Sequence, residues 1–100
     1  MLGFSINRVT GMSMHPRLPH NSFILLRSLR SRRANKLRVG DVVRCHHDRY
    51  GSIIKTIAVI DTQEFFWLKG EHDSSVSMQD MGPVHIDQIS AKAIFTWLAK

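Results

Sequence analysis

The sequence predicts a mainly-β domain built of twisted antiparallel sheets. Turn signals recur about every ten residues, and the segments between them are short, apolar and often β-branched. One segment, Ser52 to Ile60, is a long β-branched run with no helical punctuation. One hundred residues suffice for one modest core and not for two. The expected organisation is therefore a single domain over 1–100, with a basic loop at 27–38.

Ile6 to Thr10 reads as a first strand that feeds a bend from Gly11 to Pro19. Phe23 to Arg27 is a second strand, set between the turn residues His20, Asn21 and Ser22 and the basic loop. Gly40 and Asp41 mark a turn from which Asp41 to Cys45 continues as a strand. Asp48 to Gly51 reads as a hairpin turn, and Ser52 to Ile60 is the strongest strand in the chain. Asp61, Thr62 and Gln63 turn into a strand from Glu64 to Lys69. Gly70 to Pro83 is polar and serine-rich, as expected of a functional loop or a disordered one. His85 to Ile89 suits one helical turn, and Ala91 to Leu98 alternates imperfectly like a last strand.

Composition narrows the class. With 43% apolar and 22% charged residues the chain reads as globular. Cys45 is the single cysteine, so no intrachain disulfide can form, which fits a reducing compartment. No apolar run approaches the ~20 residues of a membrane span, and Met1 to Phe4 is too short for a signal peptide. The expectation is a soluble, cytoplasmic chain, with peripheral membrane contact as the alternative. The net charge of +6 comes from one segment. Arg27, Arg30, Arg32, Arg33, Lys36 and Arg38 contain no acid among them, and the remaining basic residues balance the acidic ones. Such a segment favours an anionic partner, whether nucleic acid, an anionic membrane surface or an acidic protein, or is simply a solvated loop. Without interleaved aromatics or a recognition helix, no specific nucleic acid is expected.

Two residues stand out chemically. Ser13 lies in a bend, "V-T-G-M-S-M-H-P-R-L-P", between flexible Gly11 and rigid Pro16. It is either a turn residue or a nucleophile held out of the ladder. Lys55 lies in "S-I-I-K-T-I-A-V-I", where both faces of the predicted strand are mostly apolar. It either snorkels out at a sheet edge or is buried. If buried, desolvation lowers its pKa and makes it a general base. Ser13 is the natural proton donor to it.

These residues carry a resemblance. "V-T-G-M-S-M-H-P-R-L" resembles the V-x-G-x-S-M-x-P-x-L box of the type I signal peptidase family of serine–lysine proteases. "V-G-D-V-V", Val39 to Val43, is similar to that family's next block, and "I-I-K-T-I" sits where the family has its catalytic lysine, normally followed by arginine. "G-E-H-D-S-S-V-S-M-Q-D-M-G-P-V" occupies the place of its G-D-N…S-x-D-S-R-x-x-G-P-V block. The Gly82-Pro83-Val84 ending separates this family from the SOS-repressor proteases that share the serine box. Asn21-Ser22 replaces the family's Gly-Asp, Ser77-Met78-Gln79 replaces its Asp-Ser-Arg, and the loop is one residue shorter. The family's membrane anchor is missing; small anchorless members resembling the maturation protease of nickel-type superoxide dismutase are closest in size and wording.

The resemblance implies a signal-peptidase-like or SOS-repressor C-terminal-domain-like fold and a bacterial type of serine endopeptidase. Ser13 and Lys55 would be its catalytic dyad, and the backbone N–H groups of Gly11 and Ser13 its oxyanion hole. Ser75 would support the lysine amine, and Met12, Met14 and Pro16 would border the substrate, with Met14 also packing beneath the bend. The implied substrate is a protein with an extended N-terminal propeptide or signal segment and small side chains at the cut, pro-superoxide dismutase being one candidate. No cofactor or metal is implied.

Other constellations are weaker. Cys45, His46 and His47 are adjacent on a strand, so at most two could converge on a metal. His15, His20, His72 and His85 could supply a histidine base, but the sequence fixes no partnering acid. The alternative from another class is a non-catalytic β-module that binds nucleic acid or an acidic protein through Arg27–Arg38. A Ser13–Lys55 approach within hydrogen-bond reach would favour the enzyme.

Overall fold

The computed structural model describes residues 3–29, 37–61, 64–72 and 75–99. Its strands are β1 (Phe4–Arg8), β2 (Phe23–Ser28), β3 (Val42–His47), β4 (Gly51–Asp61), β5 (Phe65–Lys69), β6 (Val84–His85) and β7 (Ile89–Trp97). They form one antiparallel sheet in the order β1-β2-β7-β3-β4-β5-β6. The mainly-β class is as expected, in one open sheet rather than several. A one-turn helix, α1 (Met78–Met81), and a 3-10 turn (Ile86–Gln88) are the other regular elements among the described residues.

β3 and β4 form a hairpin across Asp48–Tyr50, with Val42 opposite Thr56 and His47 opposite Gly51. β7 then inserts between β2 and β3, pairing Leu26 with Ala93 and Val43 with Lys92. Register shifts at Leu25/Leu26, Arg44/Cys45 and Ile57/Val59 bend the strands, as an unpaired extra residue does. The buried apolar residues form two clusters on the one sheet, where the sequence led to a single core. The larger holds Val43, Cys45, Ile57, Phe66 and Leu68 and is closed by Met81 and Ile86. The smaller holds Val9, Met14, Leu18, Ile24, Leu26 and Val42.

Several boundaries differ from expectation. β1 is two residues earlier than Ile6 to Thr10: the Val9 N–H still donates in register to the Ser22 carbonyl at 2.7 Å, but the Ser22 N–H turns to Pro19 O and the Asn21 N–H takes Val9 O, which ends the ladder. β2 runs through Arg27, so that residue belongs to the strand rather than to a loop starting at 27. Arg27 and Arg38 are exposed, while Arg30, Arg32, Arg33 and Lys36 lie outside the described residues. The 70–83 stretch contains α1, capped where the Ser77 hydroxyl accepts from the Asp80 N–H. No described helix is long and apolar enough to cross a membrane.

One face of β1, β2 and β7 is apolar and open. Across it run the rows Ile6–Leu25–Phe95 and Arg8–Phe23–Trp97. Phe4, Ile6, Phe23, Phe95 and Trp97 are all exposed there, and the Phe95 and Trp97 rings meet edge to face at 4.8 Å.

Candidate active site

The bend that carries Ser13 is a closed loop with its own anchor. At its base the Val9 N–H donates to Ser22 O and the Asn21 N–H donates to Val9 O, each at 2.7 Å. Inside, the His15 N–H donates to Met12 O, and the Leu18 N–H donates to Met14 O at 2.7 Å. Met14 and Leu18 are 1% and 2% exposed and fill the smaller core. Ser13 is thus flanked by an exposed Met12 and a fully buried Met14. Gly11 makes the entry possible: its φ of +84° is left-handed, a conformation in which a side chain is strained.

Lys55 is drawn in by its neighbours. Ile53 and Ile57, on its own face of β4, pack on the larger core, and Lys55 is left only 6% exposed. No described residue hydrogen-bonds its amine or pairs with it. Burial therefore pushes its pKa below the ordinary 10.5. Of the two readings of Lys55, snorkelling or burial, the structure has burial.

The start of the 70–83 segment grips the Ser13 carbonyl. That oxygen accepts from the Glu71 N–H at 2.6 Å, the His72 N–H at 3.1 Å and the Ser75 hydroxyl at 2.8 Å. Gly70 allows this approach, since a Cβ there would collide with the Ser75 side chain and lie 2.7 Å from Ser13 O. The Glu71 carboxylate accepts from the Thr56 hydroxyl at 2.6 Å and from Arg17 Nη1 at 3.4 Å. Residues of the bend, of β4 and of the segment after β5 are thus tied together around Ser13. Sequence reading missed Arg17, Thr56 and Glu71. The available signal was Thr56, a polar side chain in an apolar strand, 2% exposed here.

Ser13 and Lys55 line one cleft of about 270 Å3 with Met14, Arg44, residues 7–10 and residues 52–54. No hydrogen bond joins the two side chains. Open strand edges flank this cleft. β1 pairs only with β2, and β4 pairs with β5 only from Thr56 onward, leaving residues 51–55 with one bare edge among the described residues. A larger cleft of about 390 Å3 lies around Arg17, Asp41 and Phe95 and includes neither Ser13 nor Lys55.

The other sequence candidates distribute differently. Ser75 is committed to the Ser13 carbonyl, not to the Lys55 amine. The Gly11 N–H donates to His20 Nδ1 at 2.8 Å, so in this conformation it is not free as an oxyanion donor. Met14 is a core residue whose contact with the cleft is from below, and Met12 and Pro16 are exposed outside its lining. None of the histidines lines the cleft. Cys45 is buried, which together with Asp48 pushes its thiol up to about 11 and leaves it a poor nucleophile. His47 beside it donates from Nε2 to Met81 O and accepts at Nδ1 from the Arg49 N–H. No group of three His, Cys, Asp or Glu among the described residues could hold a metal ion.

Compared with family models and with curated proteins, the chain matches none.

Proposed function

We propose that the protein is a serine endopeptidase working through a Ser13–Lys55 dyad, in the manner of the type I signal peptidases its motifs resemble. The observation that carries this reading is the convergence, on one cleft, of a serine in an anchored bend and a buried lysine without a partner among the described residues. The chemistry follows from those two groups. Neutral Lys55 accepts the Ser13 hydroxyl proton as the oxygen attacks a peptide carbonyl. The lysine then gives that proton to the leaving amine, and an acyl-enzyme on Ser13 remains. Water, deprotonated by the same lysine, releases the acyl group and restores the hydroxyl.

The Ser13 N–H is the first oxyanion donor. Gly11 becomes the second once the exposed His20 ring turns away from its N–H. One such donor is worth about 10²–10³ in rate. The substrate enters as an extended segment between the open edges of β1 and of residues 51–55, taking main-chain hydrogen bonds from them. An N-terminal propeptide with small residues at the cut fits such a groove, and pro-superoxide dismutase of the nickel type is the first candidate.

The test is turnover of an alanine-rich peptide, with products read by mass spectrometry. Ser13→Ala and Lys55→Arg are each expected to lose about 10⁴-fold or more, since the guanidinium of arginine stays protonated. Wild-type activity rises toward alkaline pH as Lys55 deprotonates. Wild-type turnover in Lys55→Arg, or a maximum near pH 6, overturns the dyad.

A second reading rests on the apolar face of β1, β2 and β7. Phe4, Phe23, Phe95 and Trp97 beside Arg27 suit a non-catalytic module that stacks the bases of an anionic single strand. Binding of such a strand, undiminished in Ser13→Ala, would favour it.

A further inference from the structure

Among the described residues three basic ones, Arg8, Arg44 and Lys55, border the cleft beside Ser13, and no acidic one does. Arg44 is the one held in place. Its Nε donates to Ser90 Oγ at 2.9 Å and its Nη1 donates to Asn7 Oδ1 at 3.0 Å. Both acceptors are neutral, and no carboxylate pairs with Arg44 among the described residues. A guanidinium has five N–H donors, so most of this one's remain unused at the wall of the cleft. A partly buried cation without a counter-ion is unfavourable, and an arriving carboxylate relieves that. Asn7 and Ser90 already fix the fork, so little side-chain freedom is lost when it binds.

The sheet register says where such a carboxylate would come from. Arg44 lies opposite Ile54 and so shares its face of the sheet, the face opposite Lys55. A segment added along the bare edge of residues 51–55 sends alternate side chains to the two faces. Resting on the peptidase reading, we infer that the substrate carries an aspartate or glutamate at a fixed distance from the scissile bond and that Arg44 selects it. The recognition is a charge-assisted, two-pronged hydrogen bond from guanidinium to carboxylate. It differs from the general attraction of a +6 chain for acidic peptides, which acts wherever the charge sits.

The experiment walks one glutamate along an alanine-based, end-blocked peptide, with a glutamine series as control. Wild-type protein is incubated with each peptide and the cut is located by mass spectrometry. Binding of the same peptides to Ser13→Ala protein is measured by titration calorimetry. The cut is expected to follow the glutamate at constant offset, and the glutamate peptide to bind about tenfold tighter than its glutamine twin. In Arg44→Gln that preference falls to unity, and in Arg44→Glu it reverses toward a lysine peptide. A cut that ignores the glutamate, or a preference that survives in Arg44→Gln, overturns the inference. If the Arg44 variants fail to fold, the offset measured on wild-type protein still decides. Glutamate-dependent binding to Ser13→Ala without any wild-type cleavage sinks the peptidase reading and with it the fixed offset from a scissile bond. Cleavage indifferent to glutamate sinks the inference alone.

Discussion

Replacing Gly70 with alanine tests the architecture around Ser13 without touching either proposed catalytic group. The backbone at Gly70 is not left-handed, so the cost is purely steric. The new Cβ would lie 2.7 Å from Ser13 O, whereas ordinary contact begins at 3.4 Å, so the two must separate by about 0.7 Å. Ser13 O is held by three donors, Glu71 N–H, His72 N–H and Ser75 Oγ, and cannot move without lengthening them. Ser75 itself collides with the new methyl and must swing away. Overpacking of this kind costs about 1–3 kcal/mol. Losing the Ser75 bond adds about 0.5–1.5 kcal/mol, for a destabilisation of roughly 2–4 kcal/mol. In a domain of this size each kcal/mol lowers Tm by about 4–8 °C, so the drop should be on the order of 10–25 °C. Thermal unfolding followed by circular dichroism measures it. Adding Ser75→Gly removes the closest collision, so the double variant should lose less than the two single losses combined. A Gly70→Ala protein whose Tm stays within about 2 °C of wild type, well under one kcal/mol, would refute the packing described here.

Lys55→Met should raise stability at neutral pH, because burial holds the lysine pKa below 10.5 and the folded state binds that proton less tightly than the unfolded chain does. The gain is full below the folded-state pKa and vanishes as pH rises toward 10.5; a gain in urea midpoint that does not shrink between pH 7 and 10 would contradict the burial. Thr56→Val keeps the side-chain shape but deprives the Glu71 carboxylate of its 2.6 Å donor, at a cost of about 1–3 kcal/mol by urea unfolding. Arg17→Ala, at a pair whose arginine is 45% exposed, should cost under about 1 kcal/mol, and the reverse ranking would put the brace on the wrong residue.

The fold was legible where local chemistry decides it. Ser52 to Ile60 reads as a strand because β-branched side chains suit a pleated, covered surface, and it is one. The hairpin at 48–51 and the single turn near 86–88 follow from turn residues at short range. The insertion of β7 between β2 and β3 was not legible, because it depends on pairings such as Val43 with Lys92 that no local pattern encodes. β6 was missed because two residues make no periodicity; it exists only as an addition to the edge of β5. The first strand came out shifted because the ladder ends at Val9, where the Ser22 N–H turns away to Pro19 O and the Asn21 N–H takes Val9 O, a tertiary arrangement that the β-branched pattern does not encode.

The site divides along the same line. Ser13 and Lys55 were readable because each breaks a rule of its own segment, a serine between two methionines in a bend and a charge inside an apolar strand. The groups that hold Ser13 obey local rules and so stayed hidden. Glu71 and Arg17 look like ordinary surface charges until the fold sets both against Thr56. The same holds for Ser75, whose hydroxyl is directed by the closeness of Gly70 to Ser13 O and not by anything near it in sequence. The absence of a side chain at position 70 and a hydrogen-bonding one at 56 are therefore both required. Either change would loosen Ser13 relative to Lys55, even though neither residue touches the cleft.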